Sequence, residues 1–140
     1  MIMLDTNVVS ELMRPQSSRT VTRWIDQIAV GDLFINAVVR AEIERGLRLM
    51  PRGKRQAINI ELAARLFSLF EGRCLPFEES AAVVFGQLSA HRMRAGRPIS
   101  VEDALIAAIA LVHGMKLATR NSRDFAHIDG LELINPWNRP

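Results

Sequence analysis

The chain contains one cysteine and no tyrosine, and only two tryptophans and six phenylalanines among its 140 residues. Each scarcity excludes something. A lone Cys74 cannot form an intramolecular disulfide, which agrees with a reducing compartment. It also excludes structural zinc of the cysteine-rich kinds. Set in Arg73-Cys74-Leu75-Pro76, it reads as a small core residue at a strand edge. With so few aromatics, a base-stacking platform for single strands is poorly supported. No run approaches the roughly 20 uninterrupted apolar residues of a membrane helix. No basic-then-apolar export signal opens the chain, so cytoplasmic residence is the expectation. Internal repeats, low-complexity tracts and linkers are also missing, which leaves one domain over residues 1–140.

What is present is apolar and mildly basic. Hydrophobic residues make up 49% of the chain, ample for a core that removes roughly 70% of the unfolded surface from water. Lys and Arg number 18 against 15 Asp and Glu, mostly as Arg. That balance suits a polyanion partner without demanding one. Arg92, Arg94 and Arg97 form one cluster, and Arg120 and Arg123 another. The first reads as a solvated helix face or as phosphate contacts, since guanidinium matches phosphate in bidentate geometry.

Short apolar runs alternate with longer amphipathic ones. Strands are expected at Met1 to Leu4, Leu33 to Ile35, Cys74-Leu75, Lys116 to Thr119 and Leu131 to Ile134. Helices are expected over Thr6 to Met13, Ser18 to Ala29, Ala37 to Met50, Ile58 to Phe70, Glu79 to Ala95 and Ser100 to His113. Trp24 falls on the apolar stripe of the second helix and reads as a core anchor. In the last helix Leu105, Ile109 and Val112 are expected to face inward. The helix with Val83, Val84, Phe85 and Leu88 reads as core or dimer surface. Strands alternating with helices imply an α/β protein with a mostly parallel sheet covered on both faces.

Three acids stand at comparable places in that pattern. Asp5 ends the first strand, Glu42 lies in the first turns of the helix after the second, and Asp103 lies in the first turn of the Ser100 helix. In a parallel sheet, strand ends and helix starts share one edge, which is where ligands sit. Each acid also has a plainer reading. Asp5 caps the following helix, Glu42 is a solvated flank beside Val39 and Ile43, and Asp103 forms a capping box with Ser100. Together they point further, because converging carboxylates repel unless protons or a cation neutralise them. Mg²⁺ or Mn²⁺ suits an all-oxygen set without histidine or thiol. Such an ion lowers the pKa of water and polarises a phosphoryl oxygen, the chemistry of a phosphodiester hydrolase. Thr6 and Asn7 are placed to orient a carboxylate or a phosphate.

Ala118-Thr119-Arg120-Asn121-Ser122-Arg123-Asp124-Phe125 follows a strand directly. Thr119 and Asn121 are expected at the acids' edge, with Arg120 and Arg123 near phosphate; an Asn/Ser turn is the plain alternative. His91, His113 and His127 pair with no Ser or Cys motif and read as structural. Pro136-Trp137 reads as packing the C-terminal end or a dimer seam. Phosphotransfer on Asp5, as in a haloacid-dehalogenase-like fold, needs a second Asp two residues on, where this chain has Asn7.

Leu4-Asp5-Thr6-Asn7, Ala41-Glu42, Glu102-Asp103-Ala104-Leu105-Ile106-Ala107-Ala108, Ala118-Thr119-Arg120-Asn121 and Asn135-Pro136-Trp137 together resemble the PIN-domain nucleases. The likeness is to VapC-type toxins of bacterial toxin–antitoxin pairs, in particular their FitB-like group, and spans essentially the whole chain. It implies a three-layer α/β/α PIN fold and Mg²⁺- or Mn²⁺-dependent endoribonuclease activity leaving a 5′-phosphate and a 3′-hydroxyl. It also implies a homodimer, held silent by a small antitoxin that masks the acidic pocket and binds operator DNA. The family's metal-binding acids carry over to Asp5, Glu42 and Asp103. Many relatives place a fourth acid where this chain has Asn121. Asp124, three residues later, is the candidate substitute; otherwise the pocket keeps three acids. A catalytically silent module, acting through its antitoxin on DNA, is the alternative.

Overall fold

The computed structural model describes residues 1–138. Five strands form one sheet in the order β3-β2-β1-β4-β5, and all four pairings are parallel. The central strand β1 (Ile2–Leu4) pairs Leu4 with Ala118 of β4 (Lys116–Ala118) and Met3 with Phe34 of β2 (Leu33–Asn36). Met3 and Leu4 are fully buried, as expected for a strand covered on both faces, whose side chains need not alternate in polarity. The edges are β3 (Cys74–Leu75) beside β2 and β5 (Leu133–Ile134) beside β4.

From β1 the chain moves to β2 on one side, and β4 lies on the other. The strand order therefore reverses between β1 and β4, and an open parallel sheet has its crevice outside the C-terminal ends at such a point. Helix α1 (Thr6–Met13) leaves β1 there, and α3 (Ala37–Leu49) leaves β2. Helix α6 (Val101–Val112) precedes β4 and returns antiparallel to it. Its N-terminus thus reaches the same edge as the strands' C-terminal ends.

The core is continuous around the sheet. Val8 and Val9 of α1, Val39, Ile43 and Leu47 of α3, and Ile106 to Ala110 of α6 are buried. Trp24, on α2 (Arg19–Asp26), is a core anchor at 5% exposure. The α6 packing differs from expectation. Leu105 is half-buried and Val112 exposed, while Ile106 and four alanines are fully buried. Ala-rich turns carry too little periodicity to mark one face, and here the helix is buried almost all round.

Several boundaries also move. Helix α2 starts after Ser18, which occupies its N-cap position, and ends at Asp26; Val30–Asp32 is a 3₁₀ turn. Helix α4 (Lys54–Leu69) starts four residues before the expected Ile58, because its polar first turn shows no apolar stripe. It follows Gly53, whose φ of +149° suits only glycine. Strand β5 is two residues long instead of four, and β4 stops at Ala118. Helix α5 (Glu79–Arg94) leaves Val83 exposed, with Val84, Phe85 and Leu88 packed on the core. Cys74 is not a core residue: β3 is a two-residue edge, and the thiol-bearing side chain is exposed. Among the described residues no helix is long and apolar enough to cross a membrane.

Candidate active site

Asp5 sits where β1 gives way to α1. Its backbone N–H donates to Ala118 O at 2.9 Å, extending the β1/β4 ladder by one residue. Its side chain is the N-cap of α1, with Oδ1 accepting from Thr6 N at 2.8 Å. The capping reading therefore holds, and it uses only one of the two carboxylate oxygens. Oδ2 accepts from the Thr119 hydroxyl at 2.7 Å. That hydroxyl also accepts from Asn121 N at 3.0 Å, so the start of the 119–124 segment is tied to the acid.

Thr6 links the next carboxylate. Its hydroxyl donates to Glu42 Oε1 at 2.8 Å, so Glu42 is not a solvated flank residue. Helix α3 is set in place by Asn36, fully buried, whose Oδ1 accepts from Val39 N at 2.9 Å. Asn36 was not singled out from the sequence, although an Asn between an apolar run and a helix is the ordinary N-cap signal. Asp103 occupies the first turn of α6 beside Glu102, where a helix N-terminus favours negative charge. Its N–H donates to Ser100 Oγ at 3.1 Å, the expected cap.

These three acids line one cavity of about 430 Å³ at the sheet's C-terminal edge. Thr6, Asn7, Arg120 and Asn121 line it with them. Asn7 Oδ1 accepts from Arg120 N at 3.2 Å. Burial pushes all three carboxyls above their usual range, and neighbouring charge adds to it. For Asp5 the further cause is Glu42 and then Asp124, opposed by the Thr119 and Thr6 bonds. For Glu42 it is Asp103 and Glu102, opposed by Thr6. For Asp103 it is chiefly Asp5, opposed by Ser100. None of the ion pairs among the described residues includes any of the three. Asp124 is exposed and does not line the cavity, yet its charge reaches Asp5 and Asp103.

Donor chemistry and uncompensated charge both fit a hard divalent cation. Among the described residues, no three His, Cys, Asp or Glu side chains are grouped tightly enough to hold an ion as they stand. The acids form a cavity wall, an arrangement suited to an ion that retains several of its waters.

Two basic residues depart from expectation. Arg92 is 7% exposed. Its guanidinium donates to the carbonyls of Arg97 at 2.7 Å, Ala126 at 3.0 Å and Asp124 at 3.3 Å. It is neither a solvated helix face nor free for phosphate; it pins the loop that carries Asp124. Arg14, not anticipated, lines the acid cavity and pairs with the buried Glu11 at 3.3 Å. Trp137 was expected at a chain end or dimer seam. It packs against the core and lines the acid cavity, with the Arg120 guanidinium 5.0 Å from its ring centroid. Nothing in the sequence brings position 137 to position 5; β5 does, by pairing with β4. No histidine lines this cavity.

The fold is a doubly wound α/β domain with acids lining a cavity at the switch point of its parallel sheet. The chain belongs to the PIN domain family, whose model matches residues 2–131. It is 40% identical over 138 residues to VapC ribonuclease Y4jK of Sinorhizobium fredii, covering 98% of each chain. It is 37% identical over 139 residues to toxin FitB of Neisseria gonorrhoeae, covering 99% of each. A solved structure of FitAB bound to a DNA fragment superposes with a TM-score of 0.91 at 35% identity, covering 100% of this chain and 98% of that one.

Proposed function

We propose that this chain is a metal-dependent endoribonuclease, the toxin of a toxin–antitoxin pair. The observation that carries the reading is the set of three carboxylates, Asp5, Glu42 and Asp103. They come from three separate elements, line one cavity and have no basic partner among the described ion pairs. The ribonuclease and toxin names of relatives matched over nearly their whole length support it.

Asp5, Glu42 and Asp103 would hold Mg²⁺, or Mn²⁺ in its place, directly or through waters. When bound, the ion supplies Lewis-acid polarisation of a phosphoryl oxygen and a more acidic water. Thr6 and Thr119 hold the Asp5 and Glu42 oxygens in fixed directions, which limits how far these two carboxylates must turn when substrate arrives. One carboxylate accepts the proton of the attacking water. The water oxygen bonds to phosphorus as the P–O3′ bond breaks, and the leaving 3′ oxygen takes a proton from solvent, giving a 5′-phosphate and a 3′-hydroxyl. Asn7, Asn121 and Arg120 orient the ligands or the substrate backbone. Asp124 contributes its field from outside the cavity.

By analogy with the FitAB–DNA complex, the partners are a small antitoxin of the VapB kind and, through it, operator DNA. The functional unit is a homodimer, and an RNA substrate places its action in the cytoplasm. The test is cleavage of RNA by the purified chain with Mg²⁺, with chelator, and in Asp5→Ala and Asp103→Ala variants. Cleavage should need the ion and fall at least 100-fold in each variant. Undiminished cleavage by both would remove the assignment. The ungrouped state of the acids favours one rival, a silent module. A chain that binds Mg²⁺ and antitoxin yet cuts no RNA establishes that rival.

A further inference from the structure

The acid cavity repels the phosphate backbone that it is to cut, so substrate must gain its hold at the rim. The rim carries one aromatic ring, Trp137, among the residues lining the cavity. It is half-buried, and its setting is rigid. Pro136 beside it is buried, Trp137 N donates to Asn135 Oδ1 at 3.0 Å, and Asn135 Nδ2 reaches Ser122 Oγ at 3.5 Å. Arg120, exposed, lays its guanidinium 5.0 Å from the ring centroid, while its own N–H is held by Asn7. An indole ring and a guanidinium plane are both side-chain surfaces on which unpaired bases stack.

We propose that Trp137 and Arg120 together seat one unstacked base of single-stranded RNA beside the cleaved phosphodiester, an inference that rests on the ribonuclease reading above. The scarcity of aromatics argues against an extended platform. It does not argue against one ring at one nucleotide. Arg120 either covers the base from above or moves aside and meets the adjoining phosphate. A duplex keeps its bases stacked and cannot offer one to the ring, so the site selects loops and single strands.

Two measurements test this. The first is tryptophan emission of the Asp103→Asn chain titrated with a short single-stranded RNA and with its duplex. The single strand should quench Trp137, and the duplex should do so far less. With Trp137→Phe added, the remaining Trp24 emission should ignore the RNA. Equal quenching in that double variant, or equal quenching by the duplex, overturns the proposal. The second measurement is cleavage kinetics. Trp137→Ala should raise KM roughly 5- to 150-fold with a smaller change in kcat, and Trp137→Phe should recover most of the loss. An unchanged KM in Trp137→Ala overturns it.

If Trp137→Ala fails to fold, Arg120→Ala serves, because that side chain is exposed. It should red-shift Trp137 emission and weaken RNA binding; no change in either overturns the proposal. If the parent chain cuts no RNA, the ribonuclease reading fails by itself. Quenching by single-stranded RNA still decides the present inference.

Discussion

The Thr119 hydroxyl donates to Asp5 Oδ2 at 2.7 Å across the β1/β4 seam, with both side chains buried. Removing the donor leaves a buried carboxylate oxygen without its partner. Thr119→Val should therefore destabilise the fold by about 1–3 kcal/mol and lower RNA cleavage roughly 10- to 100-fold through misorientation. Thr119→Ser, which keeps the hydroxyl, should restore most of both. Denaturant unfolding and cleavage rates on the two variants check this. Equal loss in Ser and Val would show that the methyl group matters and the hydrogen bond does not.

The acid site should make the metal-free protein lose stability as pH rises. Burial, and then the charge of Glu42, raises the folded-state pKa of Asp5 above its usual 3.8. Asp103 is raised for the same kind of reason. A raised acid favours the fold while protonated, so its contribution is complete below about 3.8 and is lost as pH climbs through the higher folded value. With chelator present, Asp5→Asn, which keeps the helix cap, should be more stable than the parent at neutral pH. The gap should close towards acid. Added Mg²⁺ should stabilise the parent and leave the variant unmoved. Parallel stability–pH curves for parent and variant would contradict this account.

Asn121 lines the cavity, whereas Asp124 does not. Asn121→Asp should therefore tighten Mn²⁺ binding several-fold in calorimetric titration, by adding a carboxylate to Asp5, Glu42 and Asp103; Glu11, which also lines the wall, is already paired with Arg14. Asp124→Asn should lower cleavage less than tenfold, since it withdraws only a field. A loss in Asp124→Asn as deep as in Asp103→Ala would make Asp124 a ligand.

Arg92 has three carbonyl acceptors and almost no solvent. Arg92→Met keeps the apolar stem but leaves those carbonyls unpaired, which should cost about 1.5–3 kcal/mol. The urea midpoint should fall with an unchanged slope. RNA affinity should fall no further than loosening of the 124–126 loop requires, because Arg92 is not available to phosphate. Arg94→Ala should leave stability within about 0.5 kcal/mol, as exposed substitutions usually do.

The local rules read well wherever one segment decided the outcome. The strand was legible, with Met3 and Leu4 fully buried, although Met1 stays exposed and outside it, and Asp5 had to cap what followed. The edge shared by Asp5, Glu42 and Asp103 was also legible, because parallel strands force helix starts to one side. Failures cluster where a residue's surroundings come from far along the chain. Arg92 looks like a surface cation until the 124–126 carbonyls fold onto it. Cys74 looks apolar until β3 proves to be an edge. Trp137 looks like tail packing until β5 carries it to the acids. Composition and spacing cannot register such encounters.

Strand order has a further consequence for the cell that makes this chain. Asp5 leaves the ribosome more than a hundred residues before β4 and β5 are complete, and those strands bring in Thr119 and Trp137. A nascent chain arrested before Thr119 holds all three acids but lacks the hydroxyl that fixes Asp5 and the ring at the cavity rim. The complete acid cavity therefore assembles only after both of these later strands have been made.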